Sequence, residues 1–497
     1  MPAKGWRCHA SSFTGSAPSP AVRLDDLLGC GVAVPEAAAD ARFARLTADS
    51  RDAGPETVFF ALPGSRHDGR AHIGGAVERG AVAVVAPEGT TWPKGVPARP
   101  LLLAADPRRA LALAAARLTP GQPEYAVAVT GTNGKTSTAD FLRQMAELAG
   151  HKAASLGTLG LVAPAFPPGP SLTTPDPVTL HATLAALDGA GVTRLAMEAS
   201  SHGLDQRRLD GVRLAGAGFT NLTRDHLDYH GSLEAYRDAK LRLFDALLPQ
   251  GAIAAAGAGM DAETREALRA VATRRRLEWR EAAVEDWRPL PDGQVARIAG
   301  REVELRIPGR FQAENAALAV ALAPALGLSD PLGLLPRLTG VRGRMELAAT
   351  LPNGAAIFVD YAHTPDALTR LLAALRPHVA KGARLHVLFG AGGDRDPGKR
   401  PLMGEAAARG ADRVWITDDN PRSEDPATIR RAVLEGAPGA VDAGAREAAI
   451  ARALEALGPG DVLAVAGKGH EQGQTIAGVT LPFDDAEVVR RLAGAPT

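Results

Sequence analysis

The 497-residue chain contains only two cysteines, Cys8 and Cys30, too few for a disulfide framework in a protein of this size. A reducing compartment, the cytoplasm, is therefore expected. No uncharged apolar run approaches the ~20 residues needed to cross a bilayer, so no membrane insertion is expected. The opening residues, MPAKGWRCHASSFTGSAPSP, lack the apolar h-region of a secretion signal and read as a mobile leader. Excess charge is missing too: 56 basic residues balance 56 acidic ones, which argues against a nucleic-acid or membrane-surface binder. Any anion site has to be local. Lysine is scarce, at positions 4, 94, 135, 152, 240, 381, 399 and 468 only, so arginine serves wherever a plain positive charge suffices. The remaining lysines are informative, because an amine can lose its proton or be acylated whereas a guanidinium cannot.

Apolar residues make up 45% of the chain, ample for large cores, and its length implies about three domains, since single cores rarely grow past ~250 residues. Residues 21–121 hold strand-like runs (TVFFALPG, AVAVVAP) and a helical stretch, DPRRALALAAARL, before a linker-like TPGQPEY. Residues 122–341 alternate strand-like runs (AVAVT, TRLAMEAS, AGAGFTN) with helical ones at 232–248 and 312–326, the pattern of a parallel sheet flanked by helices. Residues 342–497 repeat the alternation as a doubly wound unit. The fold class expected is α/β throughout.

The stretch AVAVTGTNGKTSTADFL, residues 126–142, runs from an apolar strand through a small-residue loop into a helix. Gly131 and Gly134 permit a tight turn, Lys135 supplies a compact cation, and Thr136 and Ser137 place hydroxyls at the helix start. Such a loop aims free N–H groups and the positive end of a helix dipole at one spot, which calls for an anion. The general G-x-x-x-x-G-K-[ST] pattern is not met, because Val129 occupies its first glycine position.

Two further blocks are dense in chemistry. FTNLTRDHLDYHGSLEAYRDAKLRLF, residues 219–244, crowds Asp225, His226, Asp228, Tyr229 and His230 after a strand end, with Lys240 one helical turn beyond Tyr236. Polar ends of parallel strands are where α/β enzymes bind ligands, although part of this block can equally be surface loop. LAMEASSHGLDQRRLD, residues 195–210, ends another strand at Glu198, a candidate Mg²⁺ ligand beside a phosphate loop; His202 alone could equally be a packing histidine.

VTGTNGKTS, MEASSH, FTNLTRDHLDYHG with AYRDAK, GRFQAENAALA, GVRGRME, VDYAHTPDAL, FGAGGDRDPGKRPLM, DDNPRSEDP and AGKGHE together resemble the Mur ligase family, from about residue 46 to 485. The resemblance implies a three-domain architecture: a UDP-sugar-binding domain, a central P-loop ATPase-like domain and a C-terminal Rossmann-like domain that takes the amino acid. It implies that Gly131, Thr132, Asn133, Gly134, Lys135, Thr136 and Ser137 cradle ATP, and that Asn315, Arg344, Asp360, Tyr361 and His363 surround the rest of the nucleotide. Two Mg²⁺ ions are implied, with Thr136, Glu198, His226 and Lys240 as their surroundings; Lys240 matches a lysine that the family carbamylates. Lys135, Glu198, His226 and Lys240 are the implied catalytic set.

Ser50, Arg51, His67, Asp68, Gly69 and Arg70 match a uridine-binding segment, and Thr173, Thr174, Ser200, Gln206 and Arg208 match contacts to the sugar-peptide. Within the family, Asp419, Asn420, Pro421 and Arg422 match the signature of members that add meso-diaminopimelate to UDP-MurNAc-L-Ala-D-Glu, with Arg395, Gly467 and Glu471 nearby. Asn420 is expected to accept from the ligand amine; Arg422 is expected to bind the distal carboxylate unless it merely pairs with Glu424 or Asp425. A lysine-adding member, the folylpolyglutamate synthase branch, and a nucleotide-binding regulator or transport ATPase are the alternatives. A monomer is expected. The sequence departs from the family pattern at Gln312, commonly asparagine, at Ala391, often cysteine, and at GAIAAAGAGM (251–260), which lacks the usual acidic text.

Overall fold

The run Ala126–Val129 is apolar on both of its faces, which suits only a strand covered on both sides. The computed structural model describes residues 21–64, 68–164, 166, 173–290 and 292–494 and places this run at the middle of a seven-stranded sheet. Residues 1–20 and His67 lie outside the described residues. In spatial order the sheet runs Gly160–Val162, Ala153–Gly157, Arg194–Glu198, Tyr125–Thr130, Gly216–Phe219, Ile253–Ala256 and Glu278–Glu281. All neighbours are parallel except the first pair. Glu198 lies opposite Val129 and Phe219 opposite Thr130, so three adjacent strands end together beside the Gly131–Gly134 loop. Ligand sites in open α/β sheets form at such carboxyl ends.

A six-stranded sheet covers Glu346–Ala466 in the order Glu346–Thr350, Ala356–Asp360, Val462–Ala466, Leu385–Phe389, Arg413–Thr417 and Val441–Gly444, parallel apart from the first strand. Asp360, Gly467, Arg395 and Asp419 all fall at or just past the carboxyl ends of its strands. Beneath those ends lies an ion pair that is buried completely: Arg446 meets Asp485 at 2.7 Å and also donates to Ala466 O and Asp418 O, tying two strand ends together. A five-stranded sheet between Val32 and Ala104 forms the N-terminal unit.

Two features depart from the sequence pattern. The helix expected over 232–248 is α-helical only over Leu233–Arg242 and finishes in a wider π turn, Leu243–Leu247. An antiparallel meander, Val284–Leu290, Gly293–Ile298 and Arg301–Leu305, interrupts the alternation of strands and helices. Its members VEDWRPL and REVEL are rich in charge, and Pro289 is tolerated because its strand is an edge.

Candidate active site

The loop leaves Thr130 with Gly131 at φ 139° and enters the helix Lys135–Leu148 through Gly134 at φ 86°. Both are left-handed or extended-positive conformations that side chains resist, and both are crowded: a Cβ would strike Thr220 Oγ1 at the first and Asn315 Oδ1 at the second. The loop is braced by the strand end beside it. Thr220 Oγ1 donates to Asn133 O at 2.5 Å, Asn133 N to Asn221 Oδ1 at 3.1 Å, and Thr223 N to Thr132 Oγ1 at 2.9 Å.

Two lysine amines converge on one carbonyl of this loop. Lys135 Nζ donates to Gly131 O at 3.0 Å and Thr132 O at 2.9 Å, and Lys240 Nζ donates to the same Gly131 O at 2.9 Å. Lys240 is 1% exposed, lies over the Tyr236 ring at 4.3 Å, and has no carboxylate within ion-pair distance among the described residues. Burial, reinforced by the Lys135 ammonium, holds its amine well below the usual lysine range. Burial also lowers Lys135, which Glu198 and Asp225 oppose and Arg344 assists.

Glu198 is buried beside the helix start and receives the Thr136 hydroxyl at 2.9 Å, the Thr158 N–H at 2.7 Å and the Thr158 hydroxyl at 3.2 Å. No cationic side chain reaches ion-pair distance of it among the described residues, although the Lys135 ammonium is close enough to feel its charge. A buried carboxylate of this kind, beside a phosphate loop, fits a hard cation such as Mg²⁺, which takes one or two carboxylates and completes its shell with phosphate oxygens and water. No group of three or more His, Cys, Asp or Glu among the described residues is arranged to hold a metal by itself. His226 stands near, exposed, with φ 51° and its ring 4.9 Å from that of His202 and 6.1 Å from that of Tyr236.

The structure also joins the loop to residues far along the chain. Asn315 donates to Gln312 Oε1 at 3.0 Å, and Gln312 reaches Arg344 O at 3.4 Å, so the residue that departs from the family pattern links the loop's neighbour to the start of the third unit. Arg344 lies 5.0 Å from the Tyr361 ring, and its buried Nε has no partner. Asp360 caps the backbone N–H groups of Met345 and Ala362 at 2.8 Å each; burial raises its carboxyl above the usual range against the pull of Arg344. His363 is within 4.6 Å of Tyr361, ring to ring.

The residues expected to hold the sugar-peptide form one network. Thr174 Oγ1 donates to Glu198 O and accepts from Ser200 N and Oγ; Arg208 donates to Thr174 O at 2.6 Å and to Gln206 Oε1 at 2.8 Å. Thr173 meets Thr158, a contact of Glu198, at 3.2 Å. Burial lowers Arg208, opposed by Asp176 and assisted by the charge of Arg108 from the N-terminal unit. Ser50, Asp68, Gly69 and Arg70 lie on two short turns of that unit, where Arg51 and Arg70 fold back on their own capping aspartates, Asp49 and Asp68, at 2.5 Å.

The third cluster mixes both signs of charge. Arg395 and Arg422 have no carboxylate within ion-pair distance among the described residues. Glu424, the suggested structural partner of Arg422, is engaged by Arg400 at 2.8 Å, and Arg422 instead donates to Gly393 O at 2.5 Å. Lys399 senses Asp419, Arg395 and Arg422 together, burial being the main cause of its lowered amine. Gly467 backs onto Asp419, and Glu471 accepts from Asn420 Nδ2 at 2.9 Å. Asn420 Oδ1, expected to accept from a ligand amine, accepts here from Lys468 Nζ at 3.2 Å and Thr475 N at 2.9 Å. Lys468 was not singled out as a site residue because nothing local in AGKGHE reveals a partner 48 residues away.

Residues 129–323 match the family profile described as the Mur ligase middle domain, and residues 343–469 the one described as the Mur ligase, glutamate ligase domain. The UDP-N-acetylmuramoyl-L-alanyl-D-glutamate–2,6-diaminopimelate ligase of Caulobacter vibrioides is 51% identical over 475 residues, covering 92% of this chain and 97% of its own. The protein of the same name from Mesorhizobium japonicum is 50% identical over 480 residues, covering 94% and 98%. A solved structure bearing that enzyme's name superposes with a TM-score of 0.72 at 31% identity over 95% of this chain and 99% of its own. Mycobacterium tuberculosis folylpolyglutamate synthase complexed with ADP, at 20% identity and a TM-score of 0.56 over 72% of this chain and 91% of its own, shares the fold.

Proposed function

Because the chain belongs to the Mur ligase family, we infer that it joins 2,6-diaminopimelate to UDP-MurNAc-L-Ala-D-Glu with conversion of ATP to ADP and phosphate, a step of peptidoglycan precursor synthesis. The observation that carries the reading is the pair of arginines, Arg395 and Arg422, without an ion-pair partner among the described residues, in a cluster at the carboxyl ends of the third sheet, since diaminopimelate differs from lysine by a second carboxylate.

The reaction proposed is the amide-forming chemistry that membership of the family implies. The γ-phosphoryl group of ATP passes to the side-chain carboxylate of the D-glutamate residue. The amine of diaminopimelate then attacks the acyl phosphate, loses a proton and expels phosphate as the amide forms. The N–H groups of Gly134, Lys135 and Thr136 and the Lys135 ammonium would neutralise the phosphates, while Asn315, Arg344, Asp360, Tyr361 and His363 hold the nucleotide around them. Thr173, Thr174, Ser200, Gln206 and Arg208 would hold the sugar-peptide, with Ser50, Asp68, Gly69 and Arg70 toward its uridine. Thr136 and Glu198 would hold one Mg²⁺ and His226 and a carbamylated Lys240 a second, and such ions supply charge neutralisation to the transferred phosphoryl group. The domain limits 21–121, 122–341 and 342–497 are proposed on the three main sheets. No helix among the described residues is long and apolar enough to cross a membrane; a cytoplasmic monomer is proposed.

Lys240 supplies a prediction. A buried amine held below the usual lysine range is neutral more readily and so can add to CO₂, turning a cation into an anion. Lys240→Arg keeps the charge and cannot be carbamylated; it is expected to lose at least ~10²-fold in kcat. Partial rescue of Lys240→Ala by a short-chain carboxylate would agree, whereas wild-type activity in Lys240→Arg would remove carbamylation from the account. The reading as a whole is tested by phosphate release: it should require ATP, UDP-MurNAc-L-Ala-D-Glu and diaminopimelate together. Release with ATP alone at the same rate would favour a plain nucleotide hydrolase.

A further inference from the structure

Lys468 is completely buried, and its three N–H donors meet three acceptors: Asn420 Oδ1 at 3.2 Å, Glu471 Oε2 at 3.2 Å and Gly473 O at 2.6 Å. Asn420 Oδ1 also accepts from the Thr475 backbone N–H at 2.9 Å. An ammonium and a backbone amide can only donate, so the Asn420 side chain has a single orientation, oxygen toward Lys468. Its NH₂ group then faces Glu471 Oε2 at 2.9 Å, and one N–H is left over. Glu471 is left with Oε1, and its side chain is 36% exposed where that of Lys468 is 0% exposed. The same lysine anchors the hairpin Gly473–Ile476 and Val479–Pro482, which is stitched to the Asp419–Arg422 loop by Gln474 Nε2 to Asp419 O at 2.6 Å and Arg422 N to Thr475 O at 3.0 Å.

We propose that Lys468 is a positioning residue that sets the polarity of the amino-acid site, holding Asn420 as a hydrogen-bond donor and Glu471 as an acceptor. Asn420 therefore takes a carboxylate oxygen of the amino acid, and Glu471 takes an ammonium at the same end. Arg422 and Arg395, with no carboxylate within ion-pair distance among the described residues, add to the capture of carboxylates. The arrangement selects a zwitterionic end by fixing which group is donor and which is acceptor before the ligand arrives; the buried lysine, with the Thr475 N–H, prevents the amide from turning over, and the lysine alone also holds Glu471 beside it. Arginine would not replace it, because a planar fork with five donors exceeds the three acceptors in a closed space.

This inference rests on the reading of the cluster as a diaminopimelate site. Steady-state kinetics on wild type, Lys468→Met and Asn420→Asp separate the possibilities, with meso-diaminopimelate and ATP varied in turn. Lys468→Met fills the space without donors and is expected to raise KM for diaminopimelate at least ~tenfold while KM for ATP moves less than ~twofold. Asn420→Asp is nearly isosteric; it removes the donated N–H and sets a carboxylate against Glu471, so KM for diaminopimelate should again rise at least ~tenfold. Were Asn420 an acceptor for the ligand ammonium, the aspartate would bind as well or better, and that result overturns the proposal. So does a Lys468→Met enzyme with lowered Tm but unchanged KM for diaminopimelate, the mark of a purely structural lysine. Should Lys468→Met not fold, Asn420→Asp decides alone. A wild-type enzyme that does not use diaminopimelate overturns the underlying reading instead.

Discussion

Lys135→Ala is expected to abolish ligation while leaving the fold intact, with kcat falling by at least ~10²–10³. The ammonium is held inside its own loop by Gly131 O and Thr132 O, so it stands ready where a β,γ-bridging phosphate would lie against the helix start. A phosphoryl group in transfer spreads charge over several oxygens, and a preorganised cation in a dry site meets that charge at no cost in rearrangement. The fold should survive, because the loop is also fixed by Thr220, Asn221 and Thr223, none of which depends on the lysine. Circular dichroism and Tm check the fold; ADP release checks the chemistry. A variant with wild-type kcat would remove the phosphate-loop assignment.

Arg422→Ala is expected to raise KM for diaminopimelate by ~10²-fold or more and to leave KM for ATP nearly unchanged. Its guanidinium has no carboxylate within ion-pair distance among the described residues, although Asp394 feels its charge, and the structural explanation for its presence, pairing with Glu424, is taken by Arg400. What holds the side chain is one backbone carbonyl, Gly393 O, which leaves most of its fork available. Its backbone sits at φ 53°, a conformation stabilised by the bond from its N–H to Thr475 O, so the residue is placed by the hairpin rather than by its own preference. An alanine there removes the fork without removing that backbone bond. Lysine as substrate would leave the same fork unpaired in the wild type, and buried donors without partners discriminate by factors of up to ~10⁴–10⁵. An unchanged KM for diaminopimelate in the variant would reassign Arg422 to a structural role.

How much of this could be read from the sequence depended on how local each determinant was. The phosphate loop was readable because Gly131, Gly134, Lys135 and Thr136 are contiguous and their chemistry needs no distant partner. Glu198 was readable as a strand-end carboxylate, although its three hydrogen-bond donors, from Thr136 and Thr158, are 62 and 40 residues away. The ion pair Arg446–Asp485 was not readable at all: 39 residues separate its members, each in an ordinary helix start, and only the folded sheet brings both under the strand ends. The partners of Asn420 were hidden for the same reason. An amide alone can donate or accept, and Lys468 and Thr475, which donate to its Oδ1, lie 48 and 55 residues further on. The meander Val284–Leu305 was missed because its outer strands are partly exposed and charged, which erases the apolar run expected of a buried strand.

The most direct measurement offers the purified protein ATP, UDP-MurNAc-L-Ala-D-Glu and equal amounts of meso-diaminopimelate, lysine and glutamate, and identifies the nucleotide product by mass. The account expects a single product, carrying diaminopimelate, formed in step with one ADP per molecule. A lysine- or glutamate-bearing product would contradict the assignment of the amino-acid site, and ADP formed without any ligated product would contradict the ligase itself.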